Sequence, residues 1–359
     1  MINTEPIKLK KYTYFIGIDI SRNELDFAVM QDSKLLFHKE IPNQVADIKL
    51  MVTELKGLPK FTIRKAAFCM EQTGIYSNHL KIALKSCKAN IIIEDALHIR
   101  SSLGTVRGKY DKIDAIRIAQ YGYKNREHLR VWQPRRLILE QLAHLSTLRN
   151  RLINVKTIIS QQLNEDTTFV NKKILNQSRM LCSKSTGAIS LDVTGVDEFI
   201  TELVKSDPYL MRMHDIITSV PCVGTVTAIQ IIITSNELRD INDPKKYACY
   251  AGVVPFKRES GVIQGKAKVS KLANKRVKAL LHTCALNAIR HDPELKAYFE
   301  RKHKEEGKPK MAVLNAVRNK LVLRIFACLN QDREYEPNYK NKYSGDTNKN
   351  ELNNDITAS

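Results

Sequence analysis

Two short apolar runs that each finish on an acid constrain this chain more than any other feature. Tyr14 to Ile20 alternates and stays apolar, so it reads as a first strand with Asp19 near its end. Ala66 to Met70 repeats the arrangement, with Glu71 next and Thr73-Gly74 as a strand-to-helix turn. A third acidic element, Tyr110 to Gln120, carries Asp111 and Asp114, whose three-residue spacing on a helix turns both acids the same way. Converging acids need a counter-charge. Magnesium prefers oxygen ligands and bridges a few carboxylates to phosphates, at times as a pair about 3.5–4 Å apart. Singly, each acid has a plainer explanation: Asp19 as a strand-end turn former, Glu71 as a solvated loop residue, Asp111 as a helix N-cap and Asp114 as first-turn charge. As an ordered set they point to phosphodiester chemistry.

The surrounding pattern places these acids on a sheet. Beyond a polar tail at 1–10, strands are expected near 13–20, 24–30, 34–41, 65–70 and 90–94, with helices near 44–56, 76–87 and 111–126. Three early strands on short turns, then alternating strand and helix, fit a mixed sheet of the RNase H-like (RuvC-like) kind over 11–130. Residues 131–195 read as a helical linker. Ile138, Leu142, Leu145, Leu148, Leu152, Val155, Ile159 and Leu163 make one stripe, which suits a coiled coil or a long helix packed on its own domain. Residues 166–195 are polar and uneven and suggest no element. A mainly helical domain is expected over 196–334, with helices at 272–291, 293–306 and 309–330. Within it Ile216 to Gln230 reads as two helices around a Pro-x-x-Gly turn, a helix-hairpin-helix-like segment with Cys222 where such a turn usually carries its leading glycine. Such a turn offers backbone N–H groups to phosphates, and a simple helical turn is the alternative. The polar composition of 335–359 suits a disordered tail.

Charge adds a partner class. The 359 residues suffice for two or three domains, and 58 Lys and Arg against 38 Asp and Glu leave +20. A polyanion is the expected partner, against the plainer reading of a generally basic surface. Eight of the basic residues, Lys257, Arg258, Lys266, Lys268, Lys271, Lys275, Arg276 and Lys278, fall in one segment against Glu259 alone. If about five met phosphates of B-form DNA, they would contribute a salt slope of about −4.5. The seven cysteines form no C-x-x-C pair and read as reduced core thiols, which favours a cytoplasmic setting. No apolar stretch is long enough for a bilayer, so no membrane partner is expected. His79, His98 and His144 belong to no metal-binding motif, and the Gly-Lys pairs at Gly108, Gly265 and Gly307 lack the rest of a P-loop.

Taken with these motifs, the chain resembles the DEDD transposases of the insertion-sequence-110 family, which in turn resemble the Piv and MooV DNA invertases. Gly17 to Ser21, Met70 to Gly74 and Lys109 to Ala115 carry the resemblance in the first half. Val220 to Gly224, Tyr250 to Pro255, Ser260-Gly261 and Val269 to Lys271 carry it in the second. The resemblance implies that Asp19, Glu71, Asp111 and Asp114 bind magnesium, singly shared or as a pair, and that Ser260 is the nucleophile. It also implies a noncoding RNA that pairs with donor and target DNA, and a setting in a bacterial nucleoid. The stripe from Ile138 to Leu163 permits a homo-oligomer such as a dimer, and the recombining of two duplexes makes a higher assembly such as a tetramer reasonable.

A serine hydroxyl is a weak nucleophile until a base or metal activates it, and no histidine is near Ser260 in sequence. Activation by magnesium on the four acids is attractive if folding or a neighbouring subunit brings the two domains together. Gly261 permits close backbone approach, and Lys257, Arg258, Lys266 and Lys268 can stabilise charge on the attacked phosphate. A phosphoserine would preserve the energy of the broken bond, so strand exchange needs no ATP. The plainer reading makes Ser260 an ordinary turn residue, and Ser270 is a rival beside Lys271. Other functions remain open: a RuvC-like junction endonuclease that activates water without a covalent intermediate, an actin-like sugar kinase, and a noncatalytic nucleic-acid-binding protein.

Overall fold

The computed structural model describes residues 12–72, 74–103, 111–163, 168–260, 263–269 and 273–337, without the side chains of 103, 111, 162, 257–260 and 263–268. The tail at 1–10, Lys109-Tyr110, Gly261, Ser270, Lys271 and residues 338–359 therefore lie outside the described part. The chain divides after Pro134 into two compact units.

In the first unit, β1 (Tyr14–Ile20), β2 (Glu24–Gln31) and β3 (Lys34–Pro42) form an antiparallel meander, followed by α1 (Val45–Lys56). Then come β4 (Ala66–Glu71), α2 (Asn78–Ser86), β5 (Asn90–Glu94), α3 (Ala96–Leu103) and α4 (Asp111–Lys124). The strand order is β3-β2-β1-β4-β5, with β1, β4 and β5 mutually parallel. This is the mixed sheet expected of an RNase H-like domain.

Alternation along β1 explains the layers. Tyr14, Ile16, Ile18 and Ile20 pack with Ile48, Met51 and Leu55 of α1 and Leu80 and Leu84 of α2 on one face. Phe15, Ala67, Cys69 and Ile92 pack with Ala115, Ile118 and Ala119 of α4 on the other. Gly17 sets the distance of that second layer. A Cβ there would lie 2.1 Å from the Ala115 carbonyl oxygen and 2.3 Å from the Ala119 nitrogen, so α4 rests on bare backbone of β1.

The second unit contains α5 (Leu137–Leu163), α6 (Lys172–Lys205), α7 (Pro208–Ser219), α8 (Thr225–Ser235) and α9 (Pro244–Tyr250). A two-stranded hairpin, β6 (Pro255–Ser260) and β7 (Ile263–Val269), precedes α10 (Lys275–His291), α11 (Pro293–Glu300) and α12 (Lys310–Asn330). Its core gathers Leu142, Ile216, Ile232, Tyr247, Leu281, Leu321 and Phe326. Two details differ from expectation. The segment 166–195 has an element after all, because most of it lies in the 34-residue α6, which packs against α5. The basic segment builds a β-hairpin inside the helical domain.

Of the apolar stripe on α5, Leu142 is fully buried, whereas Leu148 and Val155 are exposed. The stripe thus meets the core of its own unit through Ile138, Leu142, Leu145 and Leu152. At the other end of the unit, packing runs on to Tyr335, whose N–H donates to Ser219 Oγ at 2.8 Å.

Charge also has structural roles here. Asn236, Glu237 and Leu238 are three consecutive left-handed residues (φ 50°, 55° and 64°), a conformation that costs roughly 1–2 kcal/mol each outside glycine. Glu237 has a fully buried carboxylate, and the Arg136 guanidinium closes on it while donating to Asp207 Oδ2 at 2.6 Å. A buried acid with no such partner would be strongly destabilising.

Candidate active site

Strand direction brings the acids to one end. Because β1, β3, β4 and β5 all run the same way, their C-terminal ends share one edge of the sheet, the edge at which open α/β sheets usually hold ligands. Ile18 pairs with Met70, so Asp19 and Glu71 follow side by side on adjacent strands. Both share the face of Gly17 and Cys69, on which α4 lies. Asp111 and Asp114 occupy the first turn of α4. The Asp111 carboxylate lies outside the described side chains.

The register adds acids that sequence reasoning missed. Asp26 of β2 sits opposite Asp19, Glu40 of β3 opposite Asp26, and Glu94 of β5 opposite Glu71. One row across five strands therefore carries five carboxylates on one face. Like charges directly opposite repel, and neighbouring groups temper the cost. His38 Nε2 lies 2.7 Å from Asp26 Oδ1. Glu94 Oε2 accepts from the Tyr121 hydroxyl at 2.8 Å, and its Oε1 lies 3.2 Å from His98 Nδ1. Asp114 Oδ1 accepts from Arg117 Nη1 at 2.7 Å.

Glu71 registers the crowding. Burial pushes its carboxyl above the usual range, Arg100 offsets part of the rise, and Asp114 and Asp95 add to it. Beneath it, burial raises the Cys69 thiol to about 12, with Glu94 contributing. An oxygen-only donor set carrying surplus negative charge is chemically suited to a hard divalent cation. Among the described residues, no three His, Cys, Asp or Glu side chains stand close enough together to hold a metal.

The second unit carries the serine and the basic segment. Ser260 is the last residue of β6, opposite Ile263 in the hairpin register. The side chains of Ser260, Lys257, Arg258, Lys266 and Lys268 lie outside the described ones. Lys275 is exposed at the start of α10. Arg276 is tied inward, donating from Nη2 to the Ser146 carbonyl at 2.8 Å and Oγ at 2.9 Å. Between α7 and α8 the Pro-x-x-Gly turn is present, and Cys222 there adopts φ 66°, the left-handed conformation that glycine accepts without strain. All seven cysteines are free thiols, Cys69, Cys284 and Cys328 buried among them. No helix among the described residues is long and apolar enough to cross a membrane.

Comparison with known proteins now gives this arrangement a context. Residues 16–166 match a family model described as a transposase, the DEDD transposase of IS110 elements. Residues 214–300 match one described as transposase IS116/IS110/IS902 family. A pilin gene-inverting protein of Moraxella lacunata is 23% identical over 327 residues, covering 90% of this chain and 97% of its own length. The relative in Moraxella bovis, with the same description, has the same identity and coverage. An uncharacterized 42 kDa protein of insertion element IS900 from Mycobacterium paratuberculosis is 27% identical over 156 residues, 43% of this chain and 38% of that protein.

A mixed sheet edged with acids, joined in one chain to a helical transposase module, defines a DNA-rearranging enzyme. The chain belongs to the IS110 family of transposases. Membership in the DEDD group suggests dependence on a divalent metal.

Proposed function

We propose that this transposase cuts and rejoins DNA of a mobile insertion sequence by transesterification through Ser260. The observation that carries the reading is the edge of the first unit's sheet, where Asp19 and Glu71 end adjacent parallel strands and Asp111 and Asp114 open the helix seated on them. Asp19, Glu71, Asp111 and Asp114 would hold the metal, magnesium in this reading. Bound there, a divalent cation would neutralise phosphate charge and would make a hydroxyl or water easier to deprotonate.

The chain's own residues carry the covalent steps. Ser260 Oγ attacks phosphorus, the Oγ–P bond forms as one P–O ester bond breaks, and the departing sugar oxygen takes up a proton. Attack of a second strand's hydroxyl on the phosphoserine reverses these changes and frees the serine. No bond energy is lost to water, so the cycle needs no nucleotide. Lys257, Arg258, Lys266, Lys268, Lys271 and Lys275 would bind backbone phosphates, while the Ser146 contact gives Arg276 a role in seating α10. A noncoding guide RNA and a dimeric or tetrameric assembly complete the proposal. Family resemblance supports the RNA, and the net charge of +20 fits a second polyanion.

The test incubates full-length protein with magnesium, RNA transcribed from the element's flanks and labelled end-junction DNA. Wild type should give a denaturation-resistant protein–DNA adduct that maps to Ser260, and Ser260→Ala and Asp19→Asn should give none. Cleavage that persists in Ser260→Ala without any adduct, and is lost in Asp19→Asn, would replace this mechanism with that of a metal-dependent junction endonuclease.

A further inference from the structure

We infer that Asn43 is a positioning residue for the acid edge, fixing the spacing of Asp19 and Glu71 through the two chain segments that follow them. The inference rests on the reading of those acids as metal ligands.

The parallel ladder between β1 and β4 ends at Ile18 and Met70, one residue short of both acids. Beyond that level Asp19 still pairs with Asp26 of β2 and Glu71 with Glu94 of β5, but the β1–β4 ladder no longer joins the two acid-bearing strands to each other. A tie between the segments that follow them therefore bears on their spacing. Asn43, directly after β3 on the same edge, is placed to make that tie. Its Nδ2 donates to the carbonyl of Ser21, two residues past Asp19, and to the carbonyl of Tyr76, five residues past Glu71, each at 3.0 Å. Both amide hydrogens are thus spent, one on each segment. The reverse amide orientation would aim Oδ1 at two carbonyl oxygens, so the network fixes which atom is nitrogen.

The backbone of Asn43 reinforces the link. Its N–H donates to the Asn23 carbonyl at 2.7 Å, a further tie to the β1–β2 connection, and its carbonyl lies 2.8 Å from His79 Nδ1 on α2. Around the second segment, Ser77 Oγ donates to the Gly74 carbonyl at 2.9 Å, folding the turn after Glu71 back on itself. Asn43 is 6% exposed, and its Oδ1 is buried without a hydrogen-bond partner among the described residues. Burying an amide with an unmet acceptor is costly, so a residue selected for stability by itself has better options here. Tolerance of that cost is what a positional role explains. Groups that orient metal ligands from behind typically change metal affinity by about 10–100-fold when removed.

The experiment measures Mn²⁺ binding to the full-length protein by calorimetry, with no nucleic acid and no turnover. Wild type is compared with Asp19→Asn, Asn43→Ala, Asn43→Ser and Val52→Ala. The last removes a buried α1 side chain on the opposite face of the sheet and serves as a stability control. Asp19→Asn should abolish saturable binding. Asn43→Ala should weaken it about ten-fold or more, while Val52→Ala with a comparable drop in Tm leaves it unchanged. Asn43→Ser, which is smaller yet polar, gives the same comparison if the alanine variant does not fold. Wild-type affinity in folded Asn43 variants, alongside loss in Asp19→Asn, would overturn the inference and leave the acid site standing. So would equal weakening in Val52→Ala, which would mark the effect as general destabilisation. Undiminished binding in Asp19→Asn would overturn the acid site itself, and this inference with it.

Discussion

Gly17 shows how one missing side chain can govern a site two residues away. Ala115 and Ala119 approach its α-carbon with backbone atoms, which unlike the tip of a flexible side chain cannot swing aside. Gly17→Ala must therefore lift α4 or bend β1. A loss of about 3 kcal/mol is expected from overpacking at so rigid a contact, measurable as a lower midpoint in urea unfolding. The same shift would carry Asp111 and Asp114 away from the strand ends, so Mn²⁺ affinity should fall as well. Unchanged stability in that variant would show that α4 is not seated as described. Beside it, Asp26 and Glu94 are acids of the same row whose charge is already engaged by His38 and Tyr121, whereas Glu71 is pressed upward by burial and its acidic neighbours.

Elements differ in how their stability depends on charge, and α7 gives the clearest case. Asp207 caps it, accepting from the Leu210 N–H at 2.9 Å, and also receives Arg136. Arg136 first, and then the Leu210 N–H, holds the Asp207 carboxyl below the 3.8 of an ordinary aspartate. A lowered folded-state pKa means the ionised form stabilises the fold. That contribution is complete above the unfolded value and is lost as pH falls through the folded one. Asp207→Asn keeps a capping oxygen but not the charge, so wild type should be the more stable at neutral pH. The gap should close in acid, below 3.8. Urea midpoints across that range check the sign, and a gap that widened in acid would contradict it. Elements also differ in legibility. The strands of the first unit could be read because apolar alternation is a local signal, and Asp19 and Glu71 because each closes such a run. The row could not be read, since Asp26, Glu40 and Glu94 join it only through pairing between distant segments. α6 was obscured by Ser and Thr, which compete with helix formation when their hydroxyls find other backbone partners. Here Thr186, Ser190 and Thr194 each return a hydrogen bond to the carbonyl four residues earlier, and Arg149 joins Asp197 across from α5. Lys266 and Lys268 hid β7 by drawing its segment into the reading of a basic, phosphate-binding run.

At the scale of the whole molecule, charge sets how the protein meets its substrate. A surplus of +20 should favour association with DNA in dilute salt, and counterion release should make it fall steeply as salt rises. Lys266→Ala combined with Lys268→Ala should flatten the salt slope of DNA binding by roughly 0.9 for each phosphate left unneutralised, seen by fluorescence anisotropy between about 50 and 200 mM salt. An unaltered slope would remove β7 from the DNA-binding surface. The direction of the strands has a practical side too. The acids occupy one edge of the sheet, and the β2–β3 turn at Asp32 and Ser33 lies at the opposite edge, about 20 Å away along β2 at roughly 3.3 Å per residue. Both turn residues are exposed. A short epitope or fluorescent peptide spliced between them would give a handle for following this transposase on DNA, with the row of acids left at the far end of the sheet.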